Sequence, residues 1–168
     1  VTVPSNLEVG LKEWSPQNIS IKTNPEAIIW AVDGVDDNSV AFAARLMEKG
    51  VEVRIIDKEA LLSKQSLSRG SIAVLAMDNP EYEDLSETVN SIATDLDISV
   101  LSIESGFGAE ELPDWGGRHF RLLERPQIAI LSQSGLSSYD VGVSWWSLDH
   151  HLGIRHSQID ASLVNYAD

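Results

Sequence analysis

The chain has 168 residues, 43% of them hydrophobic and 23% charged, with 12 basic residues against 26 acidic ones, a formal charge of −14 and no cysteine. That length is enough for one domain with a buried core and no disulfides, and no apolar run approaches the ~20 residues needed to cross a bilayer. The missing thiols exclude cysteine nucleophiles, CxxC redox sites and thiolate zinc sites, and so acidic a field excludes nucleic acid as an expected partner.

The charge is uneven. Eight basic and eleven acidic residues lie up to Pro80; four basic and fifteen acidic follow from Glu81, and Lys64 is the last lysine. A solvated acidic surface is the plain reading of this excess. The absence of cysteine fits a periplasmic or secreted protein, although cytosolic proteins can lack it too. Val1 to Gly10 has neither the basic start nor the apolar core of a signal peptide. A chain that opens on Val1 is expected to be processed or excised from a longer one.

In chain order, residues 1–26 are irregular, broken by Pro4, Pro16 and Pro25, with an edge strand conceivable at Ile19 and Ile21. Ala27 to Val32 is a continuous apolar run, the pattern of a strand buried on both faces. Asp36, Asp37 and Asn38 offer N-caps for a helix in which Val40, Ala43, Ala44 and Met47 share a face, and Gly50 ends it. Val51 to Ile56 is the next strand, which closes a β-α-β unit. Lys58 to Leu67 predicts a weaker helix and Ser71 to Met77 another buried strand. Asn79-Pro80 predicts an N-cap and first helical residue, with Leu85, Val89, Ile92 and Leu96 along one face. Ile98 to Ile103 is a fourth core strand.

Glu104 to Arg125 shows no clear period. A gap of about 20 structureless residues is rare inside a compact domain, so this segment is expected to be functional or a junction. Gln127 to Leu131 is strand-like. Ser137 with Asp140 resembles a capping box for a helix reaching about His151, Gly153 stops it, and Ile154 to Ile159 is a last strand. This second strand-helix-strand unit echoes residues 27–57. The expected organisation is an irregular segment 1–26 and an α/β domain 27–168, with a sub-boundary in 104–126 and a second β-α-β unit opening at 127. The expected fold class is α/β, a flavodoxin-like three-layer sandwich with a mostly parallel sheet.

No complete catalytic template is present. Ser132-Gln133-Ser134-Gly135 lacks the first glycine of a nucleophile elbow. There is no GxxxxGK[ST] loop, and Gly106-Phe107-Gly108 is a dinucleotide fingerprint without its third glycine or its helix. His150, His151 and His156 do not form an HExxH motif, and adjacent helical histidines point about 100° apart. His119 stands alone beside Arg118 and is expected at the surface. Asp33, Asp36 and Asp37 follow the first strand and Asp78 follows the third, as in signalling receiver domains, but the lysine such domains need after the fifth strand is missing. Capping and turn roles for these carboxylates are the simpler reading.

The helix Ser138 to His151 carries two apolar stripes: Val141, Trp145, Leu148 and Leu152, and beside it Tyr139, Val143, Trp146 and His150. A surface helix ordinarily has one apolar face. The second stripe is therefore either core, packed against the N-terminal segment, or a docking face for another domain.

Leu122-Leu123-Glu124-Arg125-Pro126-Gln127-Ile128-Ala129-Ile130-Leu131, followed by Gly135, Ser138, Gly142, Trp145 and Leu148-Asp149, is where a family resemblance enters. This pattern resembles the region downstream of the catalytic domain in large bacterial zinc carboxypeptidases of the carboxypeptidase A-like metallopeptidase family. There it opens a segment similar to class I glutamine amidotransferases. The stretch from about Ala27 is similar to the region preceding it, so the resemblance spans residues 27–168. No histidine here is followed three residues later by glutamate, so the zinc-binding HxxE pair of such peptidases is not in this chain. An amidotransferase nucleophile is excluded by the lack of cysteine. Asn165 to Asp168 stands where the family has a further strand.

The resemblance implies an accessory, non-catalytic domain of a secreted or periplasmic zinc carboxypeptidase. It would need no cofactor of its own and have the catalytic domain of the same polypeptide as partner. Its docking face would be Tyr139, Val143, Trp146 and His150. The alternative is a small-ligand or divalent-ion-binding domain using Asp33, Asp78, Glu104 and Ser132 at the carboxyl ends of parallel strands. A third possibility is an enzyme with an unrecognised acid/base pair.

Overall fold

The structure, a computed structural model, describes residue 24 and residues 26–109, 111–133 and 135–164. The edge strand expected at Ile19 and Ile21, and the segment 165–168, lie outside them. The elements are β1 (Ile29–Val32), α1 (Ser39–Glu48), β2 (Arg54–Ile56), β3 (Ala60–Leu62), β4 (Gln65–Leu67), β5 (Ile72–Leu75), α2 (Leu85–Asp95), β6 (Leu101–Ile103), β7 (Phe120–Leu122), β8 (Ile128–Ser132), α3 (Ser138–Trp146) and β9 (His156–Asp160).

Five strands form one sheet in the order β6-β1-β5-β2-β7, and every neighbouring pair is antiparallel. The expected flavodoxin-like sandwich with a mostly parallel sheet is therefore wrong for this part of the chain. β1 and β2 do run the same way and are joined by α1, but β5 lies between them in the opposite sense. β5 and β6, joined by α2, are likewise separated by β1. Two interleaved split β-α-β units in the order β-α-β-β-α-β make a ferredoxin-like arrangement, here with β7 added beyond β2.

All four residues of β1 and all four of β5 are buried. Continuous burial is usual in parallel sheets because helices cover both faces; this antiparallel sheet is covered on both faces too, by different means. On one face Trp30, Val32 and Val74 pack with Phe42 and Leu46 of α1 and Val89 and Ile92 of α2. On the other, Ile29, Ala31, Ile56 and Phe120 meet Ala60, Leu62 and Leu67 of the β3–β4 hairpin, with Trp115 alongside. The apolar runs were legible, but their covering was not.

The hairpin replaces the helix expected over Lys58 to Leu67. Ser63 and Lys64 take φ of +46° and +67°, the two consecutive left-handed residues of a type I′ turn, whose twist matches that of the flanking strands. The alternation buries Ala60 and Leu62 from β3 and Leu67 from β4, worth about 1.5–3 kcal/mol for each leucine. The second helix also starts later than expected, at Leu85. Asn79 is not its cap but a brace: its side-chain oxygen accepts from Glu52 N (2.7 Å), and its amide nitrogen donates to Leu75 O (3.0 Å) and Glu52 O (3.1 Å). At Gly34, a Cβ would run into the backbone of Gly70 and Ser71, so the turn after β1 admits no side chain there.

The last unit follows the expected order. β8 and β9 pair in parallel, from Ile128 opposite His156 to Ser132 opposite Asp160. Ser137 Oγ accepts from Asp140 N (3.4 Å) at the start of α3, which satisfies one of the orphan N–H groups of the helix. The helix continues as a π-helical turn, Ser147–Leu152, and Gly153 at φ +69° ends it. Leu152 packs against the helical side of the main core. Between Pro126 and Val164 only Ile130 and Ile154 are buried among the described residues. No helix among those residues is long and apolar enough to cross a membrane.

Candidate functional site

The four carboxylate and hydroxyl positions expected to share a ligand site do not meet. Ile29 of β1 stands opposite Leu75 of β5 and Ile103 of β6. Asp78 and Glu104 therefore lie beyond the end of the sheet where β1 begins, and Asp33 lies beyond the opposite end. Ser132 belongs to the other sheet, where its hydroxyl donates to Ile159 O at 3.5 Å. In a parallel sheet all strand ends would coincide; the antiparallel order disperses them.

Each residue also has local work. Asp33 Oδ1 accepts from Val35 N (3.2 Å) and Asp36 Oδ1 from Asn38 N (2.9 Å), both turn bonds two residues on. Glu104 accepts from Asn24 Nδ2 at 2.6 Å. Asp78 is gripped by Arg54 through Nε (2.6 Å) and Nη2 (3.1 Å), a bidentate pair. Among the described residues no group of three or more histidine, aspartate or glutamate side chains is placed to hold a metal ion.

The helix α3 presents a different situation: none of its residues is buried. Tyr139 is 78% exposed, Trp146 57% and Val143 50%. Together with Ser138 and Gly142 these side chains line a groove of about 350 Å³. A Cβ at Gly142 would meet nothing within 4 Å, so glycine here leaves the middle of the groove open. His150 lies between two indoles, edge-on to Trp145 at 5.5 Å and tilted against Trp146 at 6.0 Å. The other stripe is only partly covered: Val141 and Leu148 are half-buried and Trp145 stays exposed. Leu131 and Ile159, paired neighbours on β8 and β9, are exposed as well. A parallel sheet open to solvent in this way is unusual.

Three charged clusters were not foreseen. Arg54, besides holding Asp78, donates from Nη1 to Phe120 O (2.9 Å) and lies over the Trp115 ring at 5.9 Å; its hydrogen bonds to Asp78 raise its pKa further. The indole N–H of Trp115 is buried with no partner among the described residues. At the β2–β7 edge, His119 Nδ1 lies 2.7 Å from Asp57 Oδ1, and Arg121 lies 3.4 Å from Oδ2. The hydrogen bond from His119 holds the Asp57 carboxyl below the usual range, with the charges of His119, Arg121 and Arg69 adding to it. His119 Nε2 accepts from Arg118 Nε at 3.4 Å.

The third cluster joins α1 to the segments that lead into β8 and β9. Glu48, in the last turn of α1, accepts from Arg125 Nε (3.2 Å) and Nη2 (3.1 Å) and from Arg155 Nε (2.6 Å). Burial alone would push the Glu48 carboxyl up, but the hydrogen bonds from Arg155 and the two guanidinium charges outweigh it and the pKa falls. The cluster's partners are 77 and 107 residues apart in sequence, so no local pattern could announce it. The available hint was the scarcity of basic residues after Glu81, which makes each arginine worth tracing.

No family model, curated protein or solved structure matches this chain.

Proposed function

We propose that this chain is a non-catalytic accessory domain that acts by contact, docking through the face of α3 formed by Tyr139, Val143, Trp146 and His150. The observation that carries this reading is a helix with two tryptophans, a tyrosine and two valines and not one buried residue. Exposed aromatic side chains grouped around a groove are the usual makings of an interface core. The proposed occupant is the catalytic domain of the same parent polypeptide, a choice that rests on the resemblance of residues 122–149 to the region downstream of bacterial zinc carboxypeptidase domains. The setting would be periplasmic or secreted. A second copy of this chain is disfavoured, because two bodies of charge −14 repel. The absence of a thiol for amidotransferase chemistry agrees with a binding role.

The test is binding between this chain and the separately produced remainder of its reading frame. The groove is blocked by Gly142→Arg, a change with open space to occupy. Saturable binding is expected, weakened at least tenfold by that substitution at unchanged far-UV and near-UV circular dichroism. Undiminished binding by a folded Gly142→Arg chain, or no zinc-peptidase HxxE domain in the frame, would overturn the reading.

A further inference from the structure

We propose that the cavity lined by Arg125, Gln127, Ile128, Arg155, His156 and Ser157 binds a compact oxyanion, a carboxylate or phosphate group, at the starts of β8 and β9. The cavity measures about 680 Å³, within the roughly 300–1,000 Å³ of small-molecule sites. It does not involve the α3 groove, so it stands or falls separately from the docking role.

Charge placement is the first argument. From Glu81 to the end the chain has four arginines, no lysine and fifteen carboxylates, yet two of the four arginines converge here. Both contact Glu48, whose side chain is 12% exposed. One bidentate arginine would balance that carboxylate. Two arginines leave a net positive charge at the cavity wall in an otherwise acidic protein.

Donor inventory is the second. A guanidinium has five N–H donors in a planar fork. Arg125 uses Nε and Nη2 on Glu48, and Arg155 uses only Nε. Arg125 Nη1 and both terminal nitrogens of Arg155 have no partner among the described residues. Glu48 therefore holds the two forks by one side and leaves the other side unspent, which is how a positioned oxyanion receptor is built. His156 adds a polar edge: its Nδ1 donates to Ile154 O at 3.1 Å, which fixes the ring at the cavity wall. Gln127 and Ser157 add neutral hydrogen-bonding groups to the lining. A ligand seated here would touch the segments leading into β8 and into β9.

The test titrates inorganic phosphate and succinate separately into the whole chain by calorimetry, with ionic strength held constant by sodium chloride. Saturable binding of at least one is expected, and the preferred anion identifies phosphate or carboxylate as the group recognised. Arg155→Gln should weaken it at least tenfold. Glu48→Gln should strengthen it about fivefold or more, because it removes the competing negative charge and one of the two acceptor oxygens that occupy the arginine donors; a merely structural clamp would lose stability in both variants and change anion affinity in neither. Should Glu48→Gln loosen the fold, Ser157→Asp puts a negative charge into the cavity without touching the clamp, and should abolish binding at unchanged melting temperature. A response to phosphate and succinate no greater than to chloride, or Ser157→Asp binding as well as the parent chain, would overturn the proposal.

Discussion

The units β1–α1–β2 and β8–α3–β9 have the same order of parts: apolar strand, polar turn, helix, a left-handed glycine, strand. In the first, β5 lies between the two strands, and α1 buries Ser39, Ala41, Phe42, Ala43, Ala44 and Leu46. In the second the two strands are direct neighbours with no further strand beside them among the described residues, and α3 buries no residue. Apolar content does not explain the contrast, since α3 is the more aromatic helix. The difference lies in what each unit is packed against: α1 has a wide sheet below it and α2 beside it, whereas α3 has two strands of five residues. Side-chain shape follows the same division. The alanines of α1 allow close approach to the sheet, while the tryptophans and tyrosine of α3 stay exposed.

The sharpest test of this contrast is a matched pair of truncations. Phe120 is 2% exposed and its ring sits 4.9 Å from that of Trp115. Phe120→Ala should cost about 3–5 kcal/mol, the range for a buried phenylalanine, read as a lower midpoint in urea unfolding. Tyr139→Ala on α3 removes a comparable ring and should move the midpoint by less than about 0.5 kcal/mol. Equal losses would mean that α3 belongs to a core after all.

The next largest effect separates the structural from the ligand-binding reading of Asp78. The Arg54–Asp78 pair is about four-fifths shielded from solvent. Asp78→Asn removes the charge but keeps the shape, and should cost about 2 kcal/mol as a charge-assisted bidentate bond is weakened. A carboxylate kept for binding a cation would behave in the opposite way, since neutralising it relieves repulsion. Unchanged or increased stability of Asp78→Asn in metal-free buffer would therefore restore the cation-site reading.

These two cases also mark what was legible in the chain. The buried runs at β1 and β5, the extent of α1 up to its glycine and the whole β8–α3–β9 unit could be read from periodicity and turn chemistry, because those signals are local; the capping bond expected before α1 is not made, and Val40 of its expected apolar face is 60% exposed. The antiparallel order could not, since a run such as Ile29–Val32 looks the same whichever way its neighbours point. The β3–β4 hairpin was missed for a related reason: Ser63-Lys64 is not a strong turn dipeptide, and its left-handed pair is sustained by the burial of Leu62 and Leu67 beneath the sheet. The stripe Tyr139, Val143, Trp146 and His150 was visible as a doubled helical period, and Tyr139, Val143 and Trp146 are exposed, while the N-terminal segment expected as its alternative cover lies largely outside the described residues. The three arginine clusters depend on contacts between distant segments and had no local signature.

Acid should distinguish the two units without any mutation. Glu48 has its pKa lowered in the folded chain from the ordinary value of 4.5. The linkage sign follows: the stabilisation is fully present above that ordinary value and is lost as pH falls through the lower, folded one. The contribution is of order 1 kcal/mol, because both arginines remain substantially exposed. Below pH 4.5 amide exchange in residues 128–160 should accelerate while that of β1 and β5 stays slow. Simultaneous loss of protection in both units would show that the Glu48 clamp does not tether the smaller one.

Trp146→Ala carries the smallest expected change and bears most directly on the proposed role. The ring is more than half exposed and its aromatic neighbour is His150 on the same helix, so few buried contacts are lost and stability should shift by less than about 0.5 kcal/mol. What should disappear is interface area: exposed tryptophans at the centre of a contact are commonly worth 2 kcal/mol or more to binding. Stability and affinity are thus predicted to part company at this residue, as they would for no side chain in the five-stranded sheet. A Trp146→Ala chain that melts several degrees lower, with its partner affinity intact, would place the ring inside the fold and leave α3 without a docking face.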